Sequence, residues 1–297
     1  MNFKLSKKVK RLLTVVLVLL VLTGCTKITG EDGKILADKI IYFSSENFTS
    51  WGSMFEKESW FAAIFVWPLA QLVNFFAQYM NIGLSVIIVT ILSRLITLPL
   101  NIKQTVQSQK MQMIQPKLNK IQAKYAGKED EQSKMAMSQE MMNLYQKYDI
   151  NPFSTILATF IPFPIMIAIW QAVQRAESVV FGEFLTLKMD MLPMTAITTD
   201  LAGSGWKYLI LIVILGITQF ASMKLPQYLA QKNMKEREKK AAKEANQQTN
   251  TMTYTMLIMI VFMSVSMPTA MSFYWIVSAI VQAVQTVLIQ KRYVDNE

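Results

Sequence analysis

The sequence predicts an all-α polytopic membrane protein: five transmembrane helices around a hydrophilic groove, with an interfacial helix and a cytoplasmic helical hairpin. Three observations predict it. Only 17% of the 297 residues are charged while 52% are hydrophobic, against about a quarter charged in soluble domains. The apolar residues fall in uncharged runs such as Ser59 to Ser93 and Thr251 to Gln290, long enough for the ~20 residues that cross hydrocarbon. Across the middles of all the spans there is a single charge, Arg94.

At the amino terminus, Lys4, Lys7, Lys8, Lys10 and Arg11 precede an apolar stretch from Leu12 to Leu22. That stretch is short for a span and suits a signal peptide, so residues 1–24 read as a lipoprotein signal peptide. It ends in Leu22-Thr23-Gly24-Cys25, which looks like a bacterial lipobox. Small residues fit the signal peptidase cleft, and the chain's one cysteine stands where a thiol would take diacylglycerol. The alternative is an ordinary signal anchor with an incidental cysteine. Removal of 1–24 takes five basic residues and no acid, and the formal charge falls from +10 to +5.

Residues 25–58 are polar and mixed, an extracytoplasmic linker. The uncharged run that follows is too long for one crossing at 1.5 Å per residue, and Pro68 interrupts it. Gln71, Asn74, Gln78 and Asn81 then share one face opposite Phe75, Phe76 and Tyr79. With Trp60 and Trp67 nearby, this predicts an interfacial amphipathic helix over 59–81, an extra span being the alternative. The first span is 82–100. Residues 101–151 carry eight Lys and no Arg. They hold two stripes, Ile114, Leu118, Ile121, Tyr125 and Met137, Met141, Leu144, Tyr148, spaced four, three, four. Gly127 to Asp130 separates them, so the region reads as a cytoplasmic helical hairpin.

The second span is 152–174, bent by Pro162 and Pro164. A mixed extracytoplasmic loop over 175–205 leads to the third span, 206–226, and a polar cytoplasmic loop over 227–250. The run from Thr251 must turn, and Pro268 divides it into a fourth span at 251–267 and a fifth at 268–290, ahead of a cytoplasmic tail at 291–297. Basic residues concentrate in 101–150, 227–250 and Lys291-Arg292, which the positive-inside rule places in the cytoplasm. Five crossings from an outside amino terminus end inside, in agreement with the lipobox.

Arg94 lies about 10 Å inside the cytoplasmic end of the first span. A charge at mid-membrane costs about 2.5–3.5 kcal/mol even on insertion scales, and no Asp or Glu occurs within any of the five spans. The guanidinium must therefore reach water, by snorkelling or by facing a wet cavity. Gly83, Thr90, Arg94, Thr97 and Asn101 share its face. Further polar stripes occur at Gly216, Gln219 and Ser222, at Trp275, Ser278, Gln282 and Gln285, and at Gln171 and Gln174. Such stripes serve as interhelical contacts or line a cavity, and four of them with an unpaired charge favour the cavity. Met252, Met256, Met259, Met263 and Met267 form a face suited to packing, lipid contact or adaptable apolar surfaces.

Enzymatic readings fail on residue types. There is no His, and one Cys rules out an internal disulfide or thiolate cluster. No paired intramembrane carboxylates, metal-ligand set or phosphate-binding glycine loop is present, so neither enzymatic activity nor a cofactor is expected.

Ser93-Arg94-Leu95 followed by Leu98-Pro99-Leu100, the lysine-rich hairpin, Asn151-Pro152-Phe153, and Phe273-Tyr274-Trp275 after a Pro-containing turn together resemble YidC-type membrane protein insertases, the bacterial members of the Oxa superfamily. The resemblance covers about residues 55–292. With the lipobox and a short amino-terminal region, it is similar to the Gram-positive lipoprotein form. It implies a groove, open to cytoplasm and lipid, that receives a polar segment of a nascent membrane protein without nucleotide hydrolysis. The family's groove arginine falls on Arg94, its third-span glutamine on Gln219 and its fifth-span tryptophan on Trp275. Thr90, Thr97, Ser278 and Gln282 complete the expected groove, Cys25 is the expected lipidation site, and the hairpin would be the mobile element that captures substrate. Nascent membrane proteins and the lipid bilayer are the implied partners, with the Sec translocon and the ribosome beside them and no specific nucleic-acid binding. The short tail after Gln290 offers little for direct ribosome docking. Competing readings are a solute or ion transporter, for which no internal symmetry is seen, and a structural membrane scaffold, which would not require aligned polar stripes.

Overall fold

The structure is a computed structural model and describes residues 30, 35–44, 46–128, 130–150, 162–232 and 247–294. The signal peptide, Cys25, the first part of the second span and residues 233–246 lie outside this range. In chain order the elements are α1 (Trp51–Lys57), α2 (Trp67–Ala77), α3 (Ile82–Ile96), α4 (Leu98–Lys124), α5 (Glu131–Lys147), α6 (Pro162–Arg175), α7 (Glu177–Val180), β1 (Glu183–Phe184), β2 (Leu187–Lys188), α8 (Pro193–Thr199), α9 (Trp206–Lys232), α10 (Gln247–Ser266) and α11 (Thr269–Ile289). Two compact units share these elements.

The first unit takes in the described residues up to Ile91, those between Ile161 and Leu211, and Ser264–Tyr274. Its core is lined by small residues. Ala63, Ala70 and Val73 are fully buried beside Ala168, Ala172 and Ala176, and α2 packs on α6, as helices do when small side chains let backbones approach. Pro68 withholds its N–H from the turn before it, and the helix widens there into a π-helical turn over Ala62–Val66.

The face predicted to be the polar side of an interfacial helix is used inside the protein. Gln71 and Asn74 are buried. The Gln71 amide donates to the Tyr42 carbonyl at 3.1 Å, and that of Asn74 to the Ile41 carbonyl at 2.9 Å. The Asn74 oxygen accepts from the Ser178 backbone and hydroxyl at 3.0 and 2.8 Å. Phe65, Leu72, Phe75 and Tyr79 are left exposed.

Residues 35–44 and 46–50, within the stretch expected to be a linker, pack into this unit. Ile41 forms a parallel bridge with Ala176, the Glu177 carboxylate accepts from the Phe43 and Ser44 backbone, and Trp67 donates to the Thr49 carbonyl. Beneath it Arg175, 1% exposed, pairs at 2.9 Å with Glu58, whose side chain is 4% exposed, and donates to the Lys39 carbonyl at 2.6 Å. Lys39 joins Glu58 at 3.1 Å. Partial burial lowers the Lys39 pKa, but hydrogen bonds and charge from Glu58, then Asp38, more than offset it and hold it above its ordinary value.

The loop over 175–205 folds into α7, a two-stranded hairpin and α8. Leu185 and Thr186, both at positive φ, make the tight turn that matches strand twist. Gly83 is fixed by this hairpin rather than by the polar stripe: a Cβ there would stand 2.4 Å from the Phe184 ring. At the start of α11, Thr269 and Ala270 donate their backbone N–H groups to the Met191 and Met189 carbonyls, which satisfies the donors that a helix start leaves open.

The second unit takes in the described residues within Leu92–Phe160, Ile212–Met263 and Trp275–Glu297. Its hairpin follows the predicted stripes. Ile114, Leu118 and Ile150 form a buried cluster against Met141, Leu144 and Tyr148. Asp130 caps α5 by accepting from the Ser133 N–H at 2.8 Å, and Gly127 takes the left-handed conformation the reversal needs. Lys124 pairs with Glu140, and Lys117 lies over the Tyr148 ring. The first helix ends earlier than the expected span 82–100. Pro99 has no N–H for the Leu95 carbonyl, so α3 stops at Ile96 and α4 starts beyond Thr97.

Among the described residues, two helices qualify as crossings by length and composition, Leu201–Lys232 and Thr269–Tyr293, with a third if the bent pair α3 and α4 is one span. Shorter apolar helices occur at Ala62–Ala77 and Thr253–Ser266. On α9 and α10, Ile210, Val213, Ile214, Ile217, Ile258 and Phe262 are exposed, as are Met256 and Met259. Apolar exposure on this scale marks surface that faces lipid or a partner.

The Glu58–Arg175 pair yields a stability test. Glu58→Leu leaves a buried guanidinium uncompensated and should cost about 3–5 kcal/mol, whereas Glu58→Leu with Arg175→Met should be close to neutral. Thermal unfolding in detergent measures both.

Candidate functional site

The site is built where α3 ends. Arg94 lies in the last turn of α3, half-buried. Its Nη1 donates to the Gln282 amide oxygen at 2.8 Å, and its Nη2 to the Ser278 hydroxyl. Ser278 and Gln282 stand four residues apart on α11, so one helix face presents both. The same face carries Gln285, whose amide nitrogen donates to the Arg94 carbonyl at 3.3 Å. That carbonyl also accepts from the Thr97 hydroxyl at 3.2 Å. Asn101 closes the network, donating to Thr97 Oγ1 at 3.3 Å and to Gln285 Oε1 at 3.4 Å.

Every partner of the guanidinium in these bonds is neutral. Among the described residues Arg94 has no ion pair, and these bonds use two of the five donors an arginine carries. The other three are available on a side chain that is only half-buried. The result is a fixed positive charge, oriented by two side chains, with unspent donors and no carboxylate among the described residues to neutralise it. Such a group attracts anions and hydrogen-bond acceptors, and in low-dielectric surroundings it does so more strongly than in water.

A second contact lies along the same face of α11. Gln219 on α9 donates its amide to the Trp275 carbonyl at 3.2 Å, and both residues are half-buried. Trp275, Ser278, Gln282 and Gln285 are spaced three, four and three, and share one side of α11.

Of the predicted groove residues, the structure brings Arg94, Thr97, Ser278 and Gln282 into one hydrogen-bonded network and joins Gln219 to Trp275. Thr90 belongs to the first unit, where its hydroxyl donates to the Val86 carbonyl of its own helix at 2.7 Å. Asn101 and Gln285 belong to the network although the predicted groove omits them. Their spacing in the stripes was the available signal. Cys25 lies outside the described residues. Among the described residues, no group of three or more His, Cys, Asp or Glu could hold a metal ion.

The family model described as 60Kd inner membrane protein matches residues 72–296. The chain is 36% identical over 163 residues to a protein named membrane protein insertase YidC 2 from Bacillus anthracis, which covers 54% of this chain and 58% of that one. It is 35% identical over 162 residues to membrane protein insertase MisCA of Bacillus subtilis, covering 54% and 57%. It is 40% identical over 126 residues to membrane protein insertase YidC 1 of Streptococcus pyogenes serotype M1, covering 40% and 46%. The alignments span about half the length of these curated relatives.

The Arg94 clamp predicts energetic coupling. Gln282→Leu alone should destabilise by about 1–3 kcal/mol, since it strips a bond from a charged group. Arg94→Met with Gln282→Leu should recover part of that loss. A double-mutant cycle by thermal unfolding should give a coupling of about 0.5–3 kcal/mol; additive effects would mean that the contact does not form.

Proposed function

The chain belongs to the 60Kd inner membrane protein family, and we propose that it is a membrane protein insertase and chaperone that works through a cytoplasm-open hydrophilic groove. It is a multi-pass, all-α membrane protein. The relatives' names support the activity, and one observation supports the site: Arg94 is held by Ser278 and Gln282 with no counter-charge among the described residues.

In this reading the polypeptide crosses the plasma membrane five times, at 82–100, 152–174, 206–226, 251–267 and 268–290. The amino terminus is outside, anchored by acyl chains on Cys25, and the carboxyl terminus is in the cytoplasm. The exposed Phe65, Leu72, Phe75 and Tyr79 of the helix before the first span rest in the interfacial region of the bilayer. The cytoplasmic hairpin captures the nascent chain and delivers it to the groove.

The mechanism follows from charge and partitioning. An acidic extracytoplasmic segment of the substrate is drawn to the unspent donors of Arg94. Thr97, Asn101, Gln219, Trp275, Ser278, Gln282 and Gln285 offer it polar contacts that lower the cost of leaving water. The substrate's apolar helix then moves sideways into lipid, driven by the hydrophobic effect, and no nucleotide is consumed. The Sec translocon and the ribosome are partners upstream of this step.

Arg94→Ala should weaken insertion of single-span proteins with acidic amino-terminal tails by about ten- to a hundredfold, the equivalent of one charge-assisted hydrogen bond of ~1.5–3 kcal/mol. Arg94→Lys should retain part of the activity. Insertion into reconstituted vesicles measures this, and equal rates for all three proteins would overturn the charge-attraction step. A photo-crosslinker at Gln219 should label a stalled nascent chain, which a transporter or a scaffold would not do.

A further inference from the structure

One side of α9 carries a cation that the Arg94 network does not use. Lys224 follows Gln219 by five residues, about 140° around the helix. Gln219 meets α11, whereas Lys224 meets the first turns of α10. The Lys224 ammonium donates to the Asn250 side-chain oxygen and stands 4.9 Å from the centre of the Tyr254 ring. That ring stacks on Phe220, one turn before Lys224, with centroids 6.2 Å apart and planes 21° apart.

Lys224 is half-buried, and both groups that hold it are neutral. Neither α9 nor α10 contains an Asp or Glu, and among the described residues Lys224 has no ion pair. An ammonium carries three donors, and the Asn250 oxygen takes one. A tie between these two helices needs no charge. Gln227 and Thr253 make one beside it with neutral groups, at 3.5 Å. A charge kept at this place points to an anionic ligand.

Depth in the membrane identifies the chemistry of that ligand. Trp206 and Lys224 stand ~27 Å apart along α9, close to the ~30 Å of bilayer hydrocarbon. Trp206 is exposed, as interfacial tryptophans are, so Lys224 falls at the headgroup level of the opposite leaflet. Phe220 lies ~6 Å nearer the bilayer centre. Phe220, Tyr254 and, one turn beyond Lys224, Tyr228 are exposed. Ile217 and Ile258 are exposed further toward the hydrocarbon. A phospholipid matches this order, with its phosphate at Lys224 and its glycerol and first acyl carbons over Phe220 and Tyr254. An anionic headgroup suits the site, because no described carboxylate on these helices stands ready for the ammonium of a zwitterionic one. The connecting residues 233–246 hold five basic and three acidic side chains, which strengthens the attraction for anionic lipid.

We propose that Lys224, with the Phe220–Tyr254 stack and Tyr228, forms a site for the phosphate of an anionic phospholipid such as phosphatidylglycerol. The lipid braces α9 against α10 at the membrane boundary, in the cytoplasmic leaflet of the topology given above. The site stands whether or not the chain inserts other proteins.

The test is native mass spectrometry of the full chain in detergent, titrated with phosphatidylglycerol or with phosphatidylcholine of the same acyl chains. The wild-type chain should retain phosphatidylglycerol where phosphatidylcholine is released, and equal retention would overturn the site. Lys224→Gln should weaken retention about fivefold, the equivalent of the ~1 kcal/mol that one cation contributes near an anionic surface. Lys224→Arg should preserve it. Lys232→Gln removes the same charge outside the aromatic frame and should leave retention nearly unchanged. Equal losses for Lys224→Gln and Lys232→Gln would overturn the site in favour of a diffuse basic surface. Thermal unfolding monitors each variant. If Lys224→Gln does not fold, Tyr254→Leu gives the reading, with a loss of about two- to fivefold expected from the missing ring and no loss overturning the site. Inorganic phosphate should leave the bound lipid in place. Its displacement by inorganic phosphate, or by an acidic peptide, would overturn the lipid site and assign Lys224 to that competitor. Insertion activity plays no part in these readings, so their failure leaves the insertase reading as it is.

Discussion

An arginine with no carboxylate partner among the described residues, set near the end of an apolar helix, is the constraint around which the second unit is organised. A guanidinium in low dielectric needs hydrogen-bond acceptors that can approach from a fixed direction. α11 supplies them from one face, with Ser278 and Gln282 on the two terminal nitrogens. Gln285 and Thr97 occupy the Arg94 carbonyl at the broken helix end. The break lies beside the site: Pro99 leaves the Leu95 carbonyl without a helical donor, and the neighbouring Arg94 carbonyl is the one that Gln285 and Thr97 meet.

The protein contains a second arginine, fully buried, that is handled in the opposite way. Arg175, in the first unit, is enclosed and meets Glu58 at 2.9 Å, with Lys39 on the same carboxylate. That arginine is matched by a charge and tied to backbone, which suits a structural fastening for the segment ahead of α1. Among the described residues Arg94 is met by neutral groups, and it stays half-buried. One side-chain type thus serves two purposes, and the difference lies in whether a carboxylate is within reach.

Polar residues at helical spacing had two outcomes as well. The stripe on α11 makes an interhelical contact, with Ser278 and Gln282 accepting from the Arg94 guanidinium. The stripe on α2 turns inward, because the carbonyls of Ile41, Tyr42 and Thr49 and the backbone at Ser178 need partners. Periodicity reveals that a face is polar but not whether water, backbone or a charge will satisfy it. The hairpin was legible for a simpler reason. Its two apolar stripes are local, their turn contains Gly127, and each helix offers only one face to bury.

The sequence by itself determined the membrane class, the isolation of Arg94, the helical spacing of its future partners and the paired stripes of the hairpin. All of these depend on composition and on contacts a few residues apart. The tertiary structure decided which polar stripes meet. It placed Gln285 and Asn101 in the Arg94 network, turned the Thr90 hydroxyl onto its own helix, and fastened Lys39 and Glu58 to Arg175. The long-range contacts among these join residues more than a hundred positions apart, and helical spacing carries no information about which distant face will arrive.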